Sequence, residues 1–242
     1  QNAVAGTTNR MLAPLADAVI AGFPGAFRGD VEYEVLGNPV RADLIAVAQA
    51  LEYDYDGERP LRLLVLGGSL GSKPINEALP GVVRRLLRGR HLDPTEVWHQ
   101  AGESHAASVA ASYGDLLSET VKVVPFIEDM AAAYAWADVV ICRAGALTVS
   151  ELAIMGRPAI LVPLPHAIDD HQTANAHALA DLGGAILLRQ SDMTEDSLII
   201  ALRAYMEYPG RLRTMAEAAR KAATPEAAGQ VADEVEALID AA

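Results

Sequence analysis

The chain has 242 residues, 51% hydrophobic and 21% charged, which supports a sizeable core and excludes a disordered or fibrous chain. Its 19 basic against 32 acidic residues give a formal net charge of −13, which argues against a nucleic-acid binder, whose affinity needs clustered Lys and Arg. Cys142 is the sole cysteine, so no internal disulfide can form and a reducing compartment is expected; no apolar run approaches the roughly 18 residues of a membrane span.

The opening Gln1-Asn2-Ala3-Val4 has neither an initiator Met nor a signal-peptide pattern, and the chain reads as beginning inside an element of a longer protein. Residues 1–40 predict a helix over 9–21, a turn at Phe23-Pro24-Gly25 and a short strand near 32–36. With no sheet of their own, they read as the tail of a preceding domain, most of which is expected to lie outside this chain. A hydrophilic loop at 52–60 follows. Beyond it, short apolar runs at 61–66, 96–99, 121–124, 139–142, 159–162 and 185–188 read as buried parallel strands. Helical spacing at 76–87, 130–136, 149–155 and 174–182 lies between them, and the Ala/Glu-rich stretch 216–242 reads as terminal helices. Strand and helix alternating at this rhythm predict an α/β fold with a doubly wound, mostly parallel sheet.

Ligands bind such sheets at the carboxyl ends of the strands, and three segments fall there. Gly67-Gly68-Ser69-Leu70-Gly71-Ser72 follows the first strand and precedes a helix. Its glycines would let backbone N–H groups approach an anion at the helix N-terminus, although a plain tight turn also fits. Arg143 to Glu151 again follows a strand and opens a helix. Here a diphosphate could rest on the helix N-terminus with Glu151 accepting from ribose hydroxyls. Alternatively, Thr148-x-x-Glu151 is a capping box. The two roles compete for one carboxylate. The third segment runs from His166 to Asn175. Its two histidines and two aspartates raise a metal reading, weakened because they share one loop with no second cluster. A loop that hydrogen-bonds a hydroxylated ligand fits better, and Asp169 or Asp170 could instead cap the next helix.

Other features read blandly. Asp54-Tyr55-Asp56 matches a divalent-ion pattern of some sugar transferases but lies in a charged turn. Cys142 reads as a small core residue, and Trp98 and His99 as core or pocket-wall packing. Arg84, Arg85, Arg88 and Arg90 form a basic patch, read as a solvated face with an anionic membrane surface as the alternative.

Taken together, the segments become specific. Gly67-Gly68-Ser69-Leu70-Gly71, the Phe126 to Tyr134 stretch, Arg143 to Glu151 and Asp170-His171-Gln172-x-x-Asn175-Ala176 occur in order. They follow Gln1-Asn2-x-x-x-Gly6-x-Thr8-Asn9-Arg10, Phe23-Pro24-Gly25 and Gly37-Asn38-Pro39-Val40-Arg41. This succession closely resembles the MurG family, the UDP-N-acetylglucosamine transferases that make lipid II in bacterial cell-wall synthesis. It runs from Gln1 to about Gly184 and more loosely through the C-terminal helices.

The resemblance implies a GT-B glycosyltransferase of two Rossmann-like domains. Residues 1–40 would end the acceptor domain, 41–224 form the UDP-GlcNAc domain, and 225–242 be a helix packing back. It places Ser69 on the donor diphosphate and Ile127 on uracil through backbone groups. Ala146, Leu147, Thr148, Val149, Ser150 and Glu151 would wrap phosphate and ribose, with Glu151 on the ribose hydroxyls. Gln172, with His171 beside it, would contact the GlcNAc hydroxyls, and Asn2 and Arg41 the donor from the far wall and the junction. The implied reaction is metal-independent and inverting, needs no cofactor, and attaches GlcNAc to the C4 hydroxyl of lipid I. Implied partners are UDP-GlcNAc, lipid I, the cytoplasmic face of the inner membrane, and cell-wall synthesis and division proteins, with no nucleic acid. The family's Gly-rich loop and activating His have no counterpart in this sequence, so no catalytic base is assigned and the chain alone is expected to be inactive. Another GT-B enzyme with a different acceptor, or a donor-binding module without catalysis, are the competing readings.

Overall fold

The computed structural model describes residues 1–88, 93–165 and 170–241. The first segment holds helix α1 (Thr7–Leu12), a short 3-10 turn at Ala13–Leu15 and a parallel two-stranded ladder of β1 (Ile20–Ala21) and β2 (Glu34–Val35). The single helix expected over 9–21 is therefore wrong in its second half. Pro14 has no amide hydrogen to continue the ladder of α1, and the chain leaves the helix there. The expected strand at 32–36 does find a partner, with Ile20 opposite Glu34.

Helix α2 (Ala42–Ala50), which the sequence reading does not assign, leads into the main sheet. Its strands are β3 (Leu61–Leu66), β4 (Thr95–Gln100), β5 (Val121–Val124), β6 (Val139–Cys142), β7 (Ala159–Leu161) and β8 (Ala185–Leu187). They lie in the order β5-β4-β3-β6-β7-β8 with every pairing parallel, so the chain winds outward in both directions from β3. That order places a switch point between β3 and β6, where neighbouring carboxyl-end loops part and leave a crevice. The doubly wound α/β expectation holds, with all six strands within a residue or so of their predicted limits.

Two layers of helices cover the sheet. Along β3, Leu61, Leu63 and Val65 face α3 (Lys73–Arg88), α4 (Ala106–Tyr113) and α8 (Glu195–Glu207), joined there by Ile75, Leu79, Val83 and Leu198. Leu64 and Leu66 face the opposite layer of α2, α5 (Met130–Trp136) and α6 (Ala146–Met155), where Leu44, Tyr134 and Leu152 pack. This period-2 alternation with both faces buried explains why the strand reads as an unbroken apolar run. Burying each such Leu or Ile stabilises the fold by about 1.5–3 kcal/mol.

Helices α7 (His171–Ala180), α9 (Pro209–Arg220) and α10 (Ala227–Ala241) complete the chain. Arg220 donates to the carbonyls of Ala48 and Leu51 at 3.3 and 2.6 Å, tying α9 to the end of α2. Thr194 opens α8 with a reciprocal capping box to Ser197. Thr194→Ala should cost about 1 kcal/mol and lower Tm by about 2–4 °C in calorimetry. An unchanged Tm would show that water replaces the cap.

Candidate functional site

The crevice beside the switch point is walled by the loop after β3 and the turn after β6. In the first, Gly67 N–H donates to the Gln100 carbonyl at 2.9 Å and Gly71 N–H to the Gly68 carbonyl at 3.1 Å, while Gly68, Ser69 and Leu70 stand exposed at the crest. The seat is tight. A Cβ on Gly71, whose φ is +76°, would lie 2.4 Å from the Ala101 carbonyl oxygen, so only glycine fits. The 16-residue α3 begins directly behind this loop and directs the positive end of its dipole toward it.

In the second wall, α6 starts at Ala146 with Gly145 as its N-cap in an extended conformation and no side chain capping it. Its first-turn N–H groups are thus left without intrahelical partners, as an anion site requires. The capping-box alternative fails, because Thr148 lies inside the helix rather than at its cap. Glu151 instead accepts a hydrogen bond from the Tyr134 hydroxyl at 2.9 Å through Oε2; among the described residues its Oε1 makes no hydrogen bond. Burial raises the Glu151 carboxyl above its usual range, opposed by the Tyr134 bond and by the charge of Arg41. Arg41, at the head of α2, is thereby placed in the neighbourhood of Glu151.

The remaining predicted residues are distributed around these walls. Leu147 is 42% exposed, whereas Val149 and Ser150 are turned inward. The Ser150 hydroxyl donates to the Ala146 carbonyl and accepts from Asn38 Nδ2 at 3.1 Å, so its side chain belongs to the core. The Ile127 side chain is buried in the same apolar cluster as Ala146 and Leu66, which leaves its backbone for any ligand. Gln172 and His171 lie in the first turn of α7, and Gln172 Oε1 accepts from Leu164 N–H at 2.9 Å. Asp170 heads α7 at φ 50° without capping its backbone; its carboxylate accepts from the Thr173 hydroxyl at 2.7 Å. His166 and Asp169 lie outside the described residues.

Two buried asparagines join the N-terminal segment to these helices: Asn38, quoted only within a motif, and Asn175, expected in the loop that hydrogen-bonds a hydroxylated ligand but turned into the core instead. Asn175, fully buried, accepts from Ala3 N–H at 2.7 Å and donates to Asn2 Oδ1 and the Ala144 carbonyl at 3.0 and 3.1 Å. Asn38 donates to the Gln1 carbonyl at 3.0 Å as well as to Ser150. Asn2 and His171 consequently share one cavity of 340 Å³. Arg143, also given no role beyond its motif, donates to the carbonyls of Val162 and Pro163 at 3.1 Å and to Gln190 Oε1 at 2.7 Å, fixing the chain beyond β7.

The bland readings mostly hold. Asp54 binds Arg59 at 3.0 Å and Asp56 accepts from Glu58 N–H, so that turn is held by its own contacts. Cys142 is buried, which pushes its thiol up to about 12, far from a reactive thiolate. Trp98 packs edge-on against Trp136 with ring centroids 5.9 Å apart. The described part of the basic patch, Arg84, Arg85 and Arg88, is an exposed face as expected, and each of its cations has a partner. Arg85 pairs with Asp196 and Arg88 with Asp115, while Arg84 donates to the Ser112 carbonyl. Arg90 lies outside the described residues.

Residues 62–231 match the glycosyltransferase family 28 C-terminal domain. The chain belongs to that family. The family 28 chain is 51% identical over 96% of its length to the UDP-N-acetylglucosamine–N-acetylmuramyl-(pentapeptide) pyrophosphoryl-undecaprenol N-acetylglucosamine transferase of Azotobacter vinelandii, covering 64% of that protein. It is 45% identical over 99% of its length to the same-named protein of Tolumonas auensis, covering 66% of it. The crystal structure of Acinetobacter baumannii MurG superposes with a TM-score of 0.79 at 40% identity, over 97% of this chain and 64% of that one. S. aureus MnaA, solved with UDP, shares the fold alone, at TM-score 0.66 and 13% identity over 96% of this chain and 64% of that one. The chain therefore spans just under two thirds of the length of these relatives.

Proposed function

We propose that the protein carrying this family 28 chain transfers N-acetylglucosamine from UDP-GlcNAc to the C4 hydroxyl of lipid I, giving lipid II. Identity of 45–51% over nearly the whole chain with transferases of that name carries this reading. The site's chemistry supports it. Two helix N-termini and a glycine loop converge where a UDP diphosphate would lie, and a carboxylate stands by to accept from ribose hydroxyls. As the bond to the anomeric carbon breaks, negative charge accumulates on the leaving diphosphate. The preorganised N–H groups of the Gly67–Ser72 loop and of the first turn of α6 would stabilise it without reorganising.

On this reading Ser69 meets the diphosphate, Ile127 the uracil, Gln172 and His171 the sugar, and Asn2 and Arg41 the donor from the opposite side. Residues 1–40 close the acceptor domain, 41–224 form the donor domain, and 225–242 return toward the first. We assign no general base to this chain. The undecaprenyl acceptor would place the protein peripherally at the cytoplasmic face of the inner membrane, with cell-wall synthesis and division proteins nearby; among the described residues no helix is long and apolar enough to cross a membrane.

Calorimetric titration of the full-length protein with UDP-GlcNAc, UDP-glucose and UMP tests the reading. UDP-GlcNAc should bind best, equally with Mg²⁺ or with chelator. Gln172→Ala should weaken UDP-GlcNAc binding about fivefold and leave UMP binding unchanged, the loss of one neutral hydrogen bond to the sugar. No binding of any uridine nucleotide would overturn the assignment.

A further inference from the structure

Directly behind the glycine loop lies a buried polar chain that the proposed chemistry does not use. Tyr113 on α4, His99 at the end of β4 and Asn76 on α3 are each at most 5% exposed. His99 Nδ1 is 3.0 Å from the Tyr113 hydroxyl and its Nε2 is 3.0 Å from Asn76 Oδ1. Asn76 Nδ2 in turn donates to the Ala101 carbonyl at 2.9 Å.

That last bond gives the chain a direction. With its NH₂ group committed to a carbonyl, Asn76 presents an oxygen to His99, so Nε2 must carry the proton and Nδ1 must accept from Tyr113. Protons thus point from Tyr113 through His99 and Asn76 to Ala101. A positively charged imidazole would break the sequence, and burial agrees by lowering the His99 pKa to about 4.

Ala101 is where the chain meets the loop. The Ala101-Gly102 turn is pressed against Leu70-Gly71 so closely that a Cβ on Gly102 would lie 2.5 Å from Gly71 N, and one on Gly71 would lie 2.4 Å from the Ala101 oxygen. Asn76 lies in the first turns of α3, where its backbone N–H donates to the Ser72 carbonyl at 2.8 Å as a helical bond, so its side chain reaches the Ala101 carbonyl from the base of the helix that follows the loop. Three apolar side chains would fill this space without the desolvation that buried polar groups incur, so packing alone does not account for the residue types.

We propose that Tyr113, His99 and Asn76 are positioning residues that fix the Ala101-Gly102 turn and thereby hold the N–H groups of the Gly67–Ser72 loop in line for the donor diphosphate. The inference rests on the donor-site reading above and extends it to residues that never touch the ligand.

The test compares UDP with uridine, which keeps base and ribose but lacks the phosphates, by calorimetry on the full-length protein. Wild type should bind UDP far more tightly than uridine. His99→Leu should shrink that ratio about tenfold with uridine affinity unchanged, the weight of one charge-assisted hydrogen bond lost. Tyr113→Phe should shrink it about threefold. His99→Gln, whose amide can donate to Asn76 and accept from Tyr113, should restore most of it. An unchanged ratio in folded His99→Leu and Tyr113→Phe, or an equal loss for uridine and UDP, would overturn the positioning role. If His99→Leu does not fold, Tyr113→Phe and His99→Gln decide. A wild-type protein with no preference for UDP over uridine would overturn the donor-site reading and, with it, this one.

Discussion

Glu151→Gln should weaken UDP binding about 100-fold while leaving Tm unchanged or slightly raised. The functional half follows from the free Oε1 beside the Tyr134 bond. A hydrogen bond from a ribose hydroxyl to a charged, partly buried carboxylate is worth about 1.5–3 kcal/mol, and two hydroxyls can share the group. The stability half has the opposite sign because burial raises the Glu151 carboxyl. An acid whose folded pKa is raised binds protons more readily folded than unfolded, so its ionised form at neutral pH opposes folding. The neutral isostere removes that opposition and keeps a partner for Tyr134. The same shift makes donor binding weaken with acid earlier than an ordinary carboxylate would. Titrations with UDP and 2′,3′-dideoxy-UDP check the assignment. Wild type should discriminate strongly, and Glu151→Gln should bind the two nearly alike. Undiminished discrimination in the variant would return Glu151 to a structural partner of Tyr134.

The competition between capping box and ligand at Glu151 also shows where sequence reading stops. Thr148 and Glu151 have capping-box spacing, but the helix begins earlier, at Ala146 with Gly145 as its N-cap, and the carboxylate's partner is 17 positions upstream. Tyr134 reaches it only because α5 and α6 pack on the same side of the sheet. Asn38 with Ser150 and Asn175 with Ala3 are likewise joined across 112 and 172 positions, which no local pattern encodes. The strands were legible for the opposite reason. Runs such as Leu61–Leu66 and Val139–Cys142 are buried on both faces, so the pattern is continuous and needs no distant partner. Helices α2, α4 and α8 escaped; of these, Ala42–Ala50 and Ala106–Tyr113 are alanine-rich, with few large apolar side chains to mark a face.

Acid should unfold the wild-type protein more readily than His99→Gln, by about 2 kcal/mol between pH 7 and pH 4.5. Burial lowers the His99 pKa from 6.5 to about 4 in the folded chain. Unfolded, the imidazole titrates near its ordinary value and therefore binds more protons throughout that window. Stability is fully present above about pH 6.5 and is lost as pH falls toward the folded value. The groups bonded to the ring are the Tyr113 hydroxyl and the Asn76 amide, neither of which carries a negative charge to offset the imidazolium. Protonation at Nδ1 would also turn an acceptor into a donor facing a hydroxyl that already donates. Urea unfolding midpoints at the two pH values measure the effect, and the difference between the two proteins cancels the carboxylates and other histidines they share. Parallel pH profiles would mean that the ring charges in place, and that the fixed proton direction beneath the glycine loop does not exist.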